Sequence, residues 1–296
     1  MNHKTLSLAA LALLTATSAS FATEGGGSSY PIGAENHLAG AAPPPGVYVL
    51  EYVNIYNADR LNNASGQAVP VPGFKVNAVA AATRIAWVTD KPLLGGQLVA
   101  HAILPLVNVK VSVAGQSASR RGLGDISLGA GVAWHHSPQL HSVAAVDVVL
   151  PVGSYDKNRP VNIGRNYLAV QPASLVSWID PTGWNADAKM GLSLNRVNSD
   201  THYRSGTEFN IDYSVGHAVG QGWVLGVGGH VYQQLSADRA QGATVPGSKG
   251  RALAIGPNLK YDNGKGWFIT AKLTKETSVR SRTQGTSFWI KSTIPF

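Results

Sequence analysis

Charged and amide side chains recur at alternate positions along several runs of the chain, and this spacing places them on one face of an extended strand. The candidates of this kind are Asp125, Asp187, Lys189, Asn195, Glu208, Asn210, Asp212, His230 and Lys272. On neighbouring strands they would form a ladder of mixed charge, which sets selectivity where it lines a water-filled lumen. Alternatively, they pair across strands and fill the interior, with each pair contributing roughly 0.2–1 kcal/mol. For Asp125, which follows the glycine-rich "GLG", an aspartate that orders its own turn is a further alternative.

A second group of candidates lies in one long polar loop. The motifs "PVGSYD" and "NIGRNY" bracket this loop, and they contain Tyr155, Asp156, Arg165 and Asn166. These side chains could form a folded constriction or a latch over a ligand. Tight-turn chemistry explains the same residue types equally well.

Catalytic, metal and cofactor sites have little support in the sequence. The Gly-x-Ser-x-Gly elbow is absent, and spacing pairs no particular serine with a histidine. His135 and His136 would point to opposite faces of a strand, so they would not share a metal ion. The glycine-rich run "GLGDISLGAG" has no helix after it and does not predict a phosphate site. We therefore expect no enzyme, no cofactor and no metal, with a membrane lipase or acyltransferase as the enzymatic alternative.

A two-residue period dominates the chain from residue 47 to its end and predicts about twelve strands. Short turns such as "DPTGW" and "DNGKGW" alternate with long polar loops such as "NADRLNNASGQAVPVPG", "GQSASRRG" and "TSVRSRTQG". This rhythm is typical of an outer-membrane barrel. Because lipid cannot satisfy a backbone amide, a spanning sheet must close. The expected fold class is an all-β, transmembrane, antiparallel up-and-down β-barrel with an irregular N-terminal arm; a secreted soluble β protein is the alternative.

The amino-terminal region predicts export. Residues 1–22 combine Lys4, the apolar run "LSLAALALLTA" and small residues at Ser20 and Ala22, which predicts a signal peptide. The chain has no cysteine, so an exported fold must hold together without disulfides. Residues 23–46 are rich in Gly, Ala and Pro and predict an irregular arm. The barrel would occupy residues 47–296, and its intermediate bore leaves room for the arm to act as a lumen plug.

Aromatic residues and basic loops suggest which surfaces meet the membrane. The aromatic residues expected in interfacial girdles are Tyr48, Tyr52, Trp87, Trp134, Trp178, Trp184, Trp223, Tyr261, Trp267 and Trp289. The formal net charge is +8, but no run of Lys and Arg indicates nucleic acid as a partner. Membrane lipid and lipopolysaccharide phosphates are better candidates. Residues that could bind those phosphates are Arg120, Arg121, Arg239, Lys249, Arg251, Arg280 and Arg282.

The last strand and several ordered motifs point to a family. "GTSFWIKSTIPF" ends on Phe296, which resembles the signal that bacterial barrel-assembly machinery recognises. With "YPIGAE", "PPPGVYVLEY", "GLGDISLG" and "DPTGWNADAKMGLSLNR", the chain resembles proteobacterial outer-membrane proteins of the meta-pathway of phenol degradation. The resemblance implies a barrel in the bacterial outer membrane that passes aromatic or other hydrophobic compounds. We therefore expect a passive channel for a small hydrophobic or aromatic ligand through a polar-lined lumen. The alternative is a structural or adhesive barrel with a closed lumen.

Overall fold

The computed structural model describes residues 22–295, with side chains as far as Thr293. Apart from a 3-10 turn at Glu24–Gly26, every regular element in this range is a strand. The strands are β1 Gly46–Leu61, β2 Lys75–Leu93, β3 Gly96–Val113, β4 Gln116–Leu123, β5 Ile126–His135, β6 Leu140–Leu150, β7 Ala169–Ile179, β8 Trp184–Asn195, β9 Tyr203–Arg204, β10 Glu208–Gly220, β11 Trp223–Gln234, β12 Arg239–Ala240, β13 Ala243–Thr244, β14 Arg251–Asp262, β15 Phe268–Arg280 and β16 Thr283–Pro295.

The main sheet is closed, because its first and last strands pair with each other. All its ladders are antiparallel, β1 pairs with both β2 and β16, and β2 pairs onward with β3. Thirteen strands belong to this sheet; β4 pairs with β3 alone, and the other twelve form the ring. Closure leaves the twelve-strand ring without an edge that hydrocarbon would have to solvate. The prediction of an all-β antiparallel barrel of about twelve strands is confirmed.

The two rims of the barrel differ in the length of their connections. One rim carries short turns, the start of β1 and the end of β16, and the other carries the long loops, including a small sheet of β9, β12 and β13. Outer-membrane barrels have short periplasmic turns and longer extracellular loops, so the first rim is periplasmic. Two segments that were predicted to be loops belong mostly to strands. "GQSASRRG" forms most of β4, and "TSVRSRTQG" is mostly strand around a two-residue turn, Ser281 and Arg282.

Apolar side chains face outward and polar side chains face inward, which is the reverse of a soluble sandwich. Along β10, Glu208, Asn210 and Asp212 are buried, whereas the side chain of Val215 is 43% exposed. On β11, Leu225 is 50% exposed. Such an apolar exterior on a closed barrel belongs in lipid, and the protein is located in the bacterial outer membrane. No helix within residues 22–295 has the length and hydropathy of a membrane-crossing helix.

The aromatic residues divide between the exterior and the lumen. Trp87, Trp184 and Trp223 are exposed near the periplasmic rim, at the depth expected for an interfacial girdle. Tyr52 and Trp289 were wrongly assigned to a girdle, because both are buried inside the barrel against Ala34 of the N-terminal segment. Their positions follow from alternation: Trp289 shares the inward face of β16 with Lys291, which is also buried.

The barrel wall has a break near its extracellular rim. The ladder between β5 and β6 ends at the pair Ile126 and Leu150, and residues 151–168 then leave the sheet. β4 continues past this point, and its second edge has no strand partner within the described chain. The segment 151–168 packs over the break, where the backbone N–H of Ser154 donates to the carbonyl of Leu123 at 3.3 Å.

Candidate functional site

Residues 22–45, here called the arm, lie inside the barrel and run from the extracellular to the periplasmic rim. At the extracellular end the backbone N–H of Ala22 donates to the carbonyl of Ser281 at 2.8 Å. Near the other end the N–H of Gly40 donates to the hydroxyl of Ser177 at 2.8 Å, and β1 then begins at Gly46. Except for Ala22, the predicted signal peptide lies outside the described residues, as does Phe296 with its assembly signal.

Asp212 of β10 is the main anchor for the middle of the arm. One carboxylate oxygen accepts the backbone N–H of Gly33 at 2.8 Å, and the other accepts the N–H of Glu35 at 3.0 Å. The hydroxyl of Tyr30 donates to the second oxygen at 2.8 Å. A barrel carboxylate thereby satisfies two backbone amides that no strand of the sheet could reach.

Glu35 of the arm lies at the centre of a buried charge network. Its carboxylate is 3.2 Å from Nζ of Lys291 and 3.4 Å from the guanidinium of Arg84, and it accepts the hydroxyl of Tyr52 at 3.1 Å. Lys272 donates its Nζ proton to the backbone carbonyl of Glu35 at 2.7 Å. Buried charges are tolerated where they are paired and hydrogen-bonded, so this network binds the arm to four separate strands, β1, β2, β15 and β16.

The periplasmic part of the arm meets β7, β8 and β16. Asp187 accepts a hydrogen bond from the N–H of Ala39 at 3.2 Å and another from Ser177, and it lies 3.5 Å from Nδ1 of His37. Lys291 donates to the carbonyl of His37 at 2.9 Å. These contacts bury His37 completely and fill this part of the lumen with arm residues.

The remaining lumenal candidates surround the extracellular half of the arm. Glu208 accepts the hydroxyl of Ser28 at 2.6 Å, and Asn195 donates to Glu208 at 2.9 Å. Nζ of Lys189 lies 4.3 Å from the ring centroid of Tyr30, within cation–π distance. Two further candidates contact the arm less directly. Asn210 is buried with its Nδ2 unpaired, and His230 lies close enough to Gly33 that an added Cβ would sit 2.9 Å from Nδ1.

Two carboxylates, Glu24 of the arm and Asp238 of a loop, organise the extracellular end of the arm and the loop beside it. Glu24 accepts hydrogen bonds from Asn198 at 2.9 Å and Thr201 at 2.6 Å. Burial raises the pKa of Glu24 above its ordinary value, although these two hydrogen bonds act in the opposite direction. Burial likewise raises the pKa of Asp238, which accepts the hydroxyl of Tyr203 at 2.6 Å.

Asp125 lies between β4 and β5, where it holds the loop that covers the wall break. Its two carboxylate oxygens accept the backbone N–H groups of Gly153 at 2.9 Å and Arg165 at 2.7 Å. Burial raises the pKa of Asp125, and these two backbone hydrogen bonds oppose that rise. Asp125 therefore orders a distant loop backbone, rather than its own turn.

The other loop candidates divide into two places. Asp156 lies 3.4 Å from Nε of Arg159 in an exposed ion pair. Tyr155 and Asn166 both contact Asn198 in the next long loop, at 2.9 Å and 2.8 Å. Tyr155 and Asn166 therefore join neighbouring loops, while Asp156 braces its own.

A cavity of about 820 Å³ lies in the extracellular half of the barrel. One wall is apolar and is formed by Phe74, Val76 and Ala78 with Val109 and Val111 of β3. The opposite lining is largely polar and comes from the arm, the loops and the inward faces of β11 and β15. Residues on that side include Tyr30, Arg165, Tyr232, Glu276 and Arg282. The space can therefore hold a molecule with one apolar and one polar side.

Several residues that form this site were not identified from the sequence. Glu35, Arg84 and Lys291 form the charge network, and Arg282 lines the cavity although it was assigned to lipopolysaccharide binding. Lys291 alternates with apolar residues on the last strand, so this pattern predicts that its side chain faces the lumen. Nothing local identifies Glu35, because the path of the arm depends on the whole barrel.

Comparisons with known proteins agree with this architecture. The model of a family described as "Putative MetA-pathway of phenol degradation" matches residues 58–291. The crystal structure of an outer membrane channel from Pseudomonas putida superposes with a TM-score of 0.77 at 16% identity, covering 87% of this chain and 98% of that one. The β domain of the Bordetella autotransporter BrkA reaches a TM-score of 0.50 at 11% identity, covering 85% and 100%. At these identities the likeness shows the fold alone. No curated protein matches the sequence.

Proposed function

The chain belongs to the family described as "Putative MetA-pathway of phenol degradation", and on that premise we propose that it is an outer-membrane channel for small hydrophobic or aromatic compounds. The closed barrel provides the path through the membrane, and the Pseudomonas putida protein of the same fold is named an outer membrane channel. The proposal concerns passive passage of solute.

The cavity is the observation that carries this proposal. Its volume of about 820 Å³ is in the range of small-molecule sites, which are mostly apolar with a few placed polar groups. The apolar wall of Phe74, Val76, Ala78, Val109 and Val111 lies inside a barrel whose inward faces carry many charged and amide side chains. A lumen built solely for ions or sugars has no need of such a wall.

The arm would be the barrier between this cavity and the periplasm. Below Tyr30, residues 33–37 are all buried, and they are bonded to β10, β15 and β16. A solute that follows the lumen must displace them, so residues 23–46 would act as a plug. The break beside β4, which residues 151–168 cover, would be the other exit from the cavity, toward the membrane.

Uptake by cells tests the proposal, because an intact outer leaflet of lipopolysaccharide slows hydrophobic solutes. Cells producing the chain should accumulate radiolabelled toluene faster than cells with an empty vector. Ala78→Trp fills the cavity and should abolish the difference. Val79→Trp is the matched control, since Val79 is adjacent and its side chain is 46% exposed on the outer surface. Equal uptake by both variants would contradict the proposed site.

A structural or adhesive barrel is the second candidate, and the arm inside the lumen favours it. In that case folded protein would give no uptake above the vector control, and neither tryptophan variant would have an effect. The exterior contacts membrane lipid in either case. We further propose that the other basic residues near the extracellular rim contact lipopolysaccharide phosphates, namely Arg120, Arg121, Arg239, Lys249, Arg251 and Arg280. We also propose that the barrel-assembly machinery recognises Phe296.

A further inference from the structure

Arg282 directs an unpaired guanidinium into the cavity. It occupies the two-residue turn between β15 and β16, and its guanidinium carbon lies 4.1 Å from the ring centroid of Tyr232. Its Nη1 is buried and has no hydrogen-bond partner within the described chain. Among the described residues, no carboxylate lies within 4.0 Å of this side chain. The negative charges of Glu208 and Glu276 act on Arg282 through space, but neither forms the direct ion pair that a buried guanidinium normally has.

Arg165 supplies a second guanidinium from the loop over the wall break. Its backbone N–H is used by Asp125, but its side chain makes no hydrogen bond or ion pair with any residue in the range 22–295. The guanidinium lines the cavity and lies against the Cα of Gly27, where an added Cβ would overlap Nη2. Because Gly27 has no side chain, the guanidinium of Arg165 has room to lie beside the arm.

Neighbouring carboxylates form no ion pair within 4.0 Å of these two arginines among the described residues, and their oxygens accept hydrogen bonds from neutral donors. Glu208 accepts two hydroxyl groups and one side-chain amide, and Glu276 accepts one hydroxyl group and one backbone N–H. Glu24 accepts one hydroxyl group and one side-chain amide. Arg159 differs, since its guanidinium pairs with Asp156 at 3.4 Å. Arg165 and Arg282 therefore keep free donors that face the cavity.

From this arrangement we infer that the cavity selects small amphipathic organic anions, such as aromatic carboxylates, with Arg165 and Arg282 as the carboxylate-binding residues. This inference rests on the proposed channel function and narrows its solute class. Guanidinium groups form charge-assisted and often bidentate hydrogen bonds with carboxylates. The facing wall of Phe74, Val76 and Val109 accommodates the hydrocarbon part. Inorganic anions would leave that wall uncovered. Neutral hydrocarbons such as toluene fit the wall and can still pass, but they bind less tightly because both guanidinium groups stay unpaired.

Calorimetry on the purified full chain in detergent tests the inference, with benzoate and its neutral isostere benzamide as probes. Benzoate should bind at least about tenfold more tightly than benzamide, because charged hydrogen bonds are the stronger ones. Arg165→Gln and Arg282→Gln should each lower the affinity for benzoate by about tenfold and leave the affinity for benzamide unchanged. Arg159→Gln is the matched control, because Arg159 lines the same cavity but is already paired. It should change neither affinity.

Two milder variants keep the test decisive if a glutamine variant fails to fold. Gly27→Ala suits the backbone, with φ of −116°, and displaces the guanidinium of Arg165 without removing it. Gly27→Ala should lower the affinity for benzoate but not that for benzamide. Arg282→Lys should retain part of the affinity for benzoate. Equal binding of benzoate and benzamide, or inorganic phosphate competing as well as benzoate, would overturn the inference. Neither result touches the channel proposal, which toluene uptake tests separately.

Discussion

Replacing Asp212 by alanine should release the middle of the arm from the barrel wall. This carboxylate accepts three hydrogen bonds from the arm, from Tyr30, Gly33 and Glu35, at 2.8, 2.8 and 3.0 Å. Alanine removes all three acceptors and leaves two backbone N–H groups unpaired in a buried site. Among the described barrel residues, no other side chain makes as many hydrogen bonds to the arm.

The expected size of the effect follows from the nature of these bonds. A hydrogen bond to a charged group contributes about 1.5–3 kcal/mol, and contributions from one side chain are not additive. Water entering the vacated space would restore part of the loss. A net weakening of about 3 kcal/mol in arm docking is therefore expected, which corresponds to roughly a hundredfold change in the equilibrium.

Hydrogen–deuterium exchange measures this equilibrium directly, since amides on a segment that opens locally exchange in proportion to its opening. In Asp212→Ala, peptides covering residues 30–40 should exchange about a hundredfold faster than in the parent chain. Ser214→Ala is the matched control. Ser214 is buried on the same face of β10, and its hydroxyl has no partner in the described structure. That variant should leave exchange of the arm unchanged.

Two results would refute the reasoning. If the amides of the arm exchange at the same rate in Asp212→Ala as in Ser214→Ala, Asp212 does not hold the arm. Faster exchange in the barrel strands as well would show that the substitution destabilises the whole fold, and not the arm alone.

Three further substitutions test other contacts of the arm and its loops. Glu35→Gln leaves buried Lys291 without its carboxylate, which typically costs about 3–5 kcal/mol. The temperature at which the barrel loses its compact migration on gels should therefore fall. An unchanged temperature would argue against the charge network. Gly40→Val adds atoms where a Cβ would already lie 2.8 Å from the β7 backbone. Amide hydrogen exchange of residues 36–44 should therefore accelerate while the barrel stays folded. Unchanged amide protection in this segment would show that the arm does not pack against β7 there. Asp125→Ala removes the acceptor of two loop N–H groups, so trypsin should cut after Lys157 several times faster, and an unaltered rate would show that the loop is held by other contacts.

Sequence periodicity was sufficient to predict the barrel, because alternation is a local property of each strand. Glu208, Asn210 and Asp212 face inward as their spacing requires, and the short and long connections identify the two rims. Alternation also places Trp289 and Lys291 inside, so assigning Trp289 to a girdle gave too much weight to residue type. The tight turn at Ser281 and Arg282 was missed because its flanking strands are polar near the extracellular rim.

The path of the arm could not be predicted from local patterns. Its glycines and prolines exclude regular structure, but its partners Asp187, Asp212 and Lys291 lie about 150 to 250 residues away in the chain. Their meeting depends on the order of strands around a closed ring. The absence of a direct ion pair at Arg165 and Arg282 likewise emerges only from the folded structure, because it depends on the distance of each guanidinium from carboxylates elsewhere in the chain.

Single-channel conductance in planar bilayers tests most directly whether the arm closes this barrel. Residues 24–44 would be deleted, and correct folding of the variant would be verified by its heat-modifiable migration. The account predicts a small conductance for the parent chain and a several-fold larger one for the folded deletion variant. A folded variant with the conductance of the parent chain would contradict it.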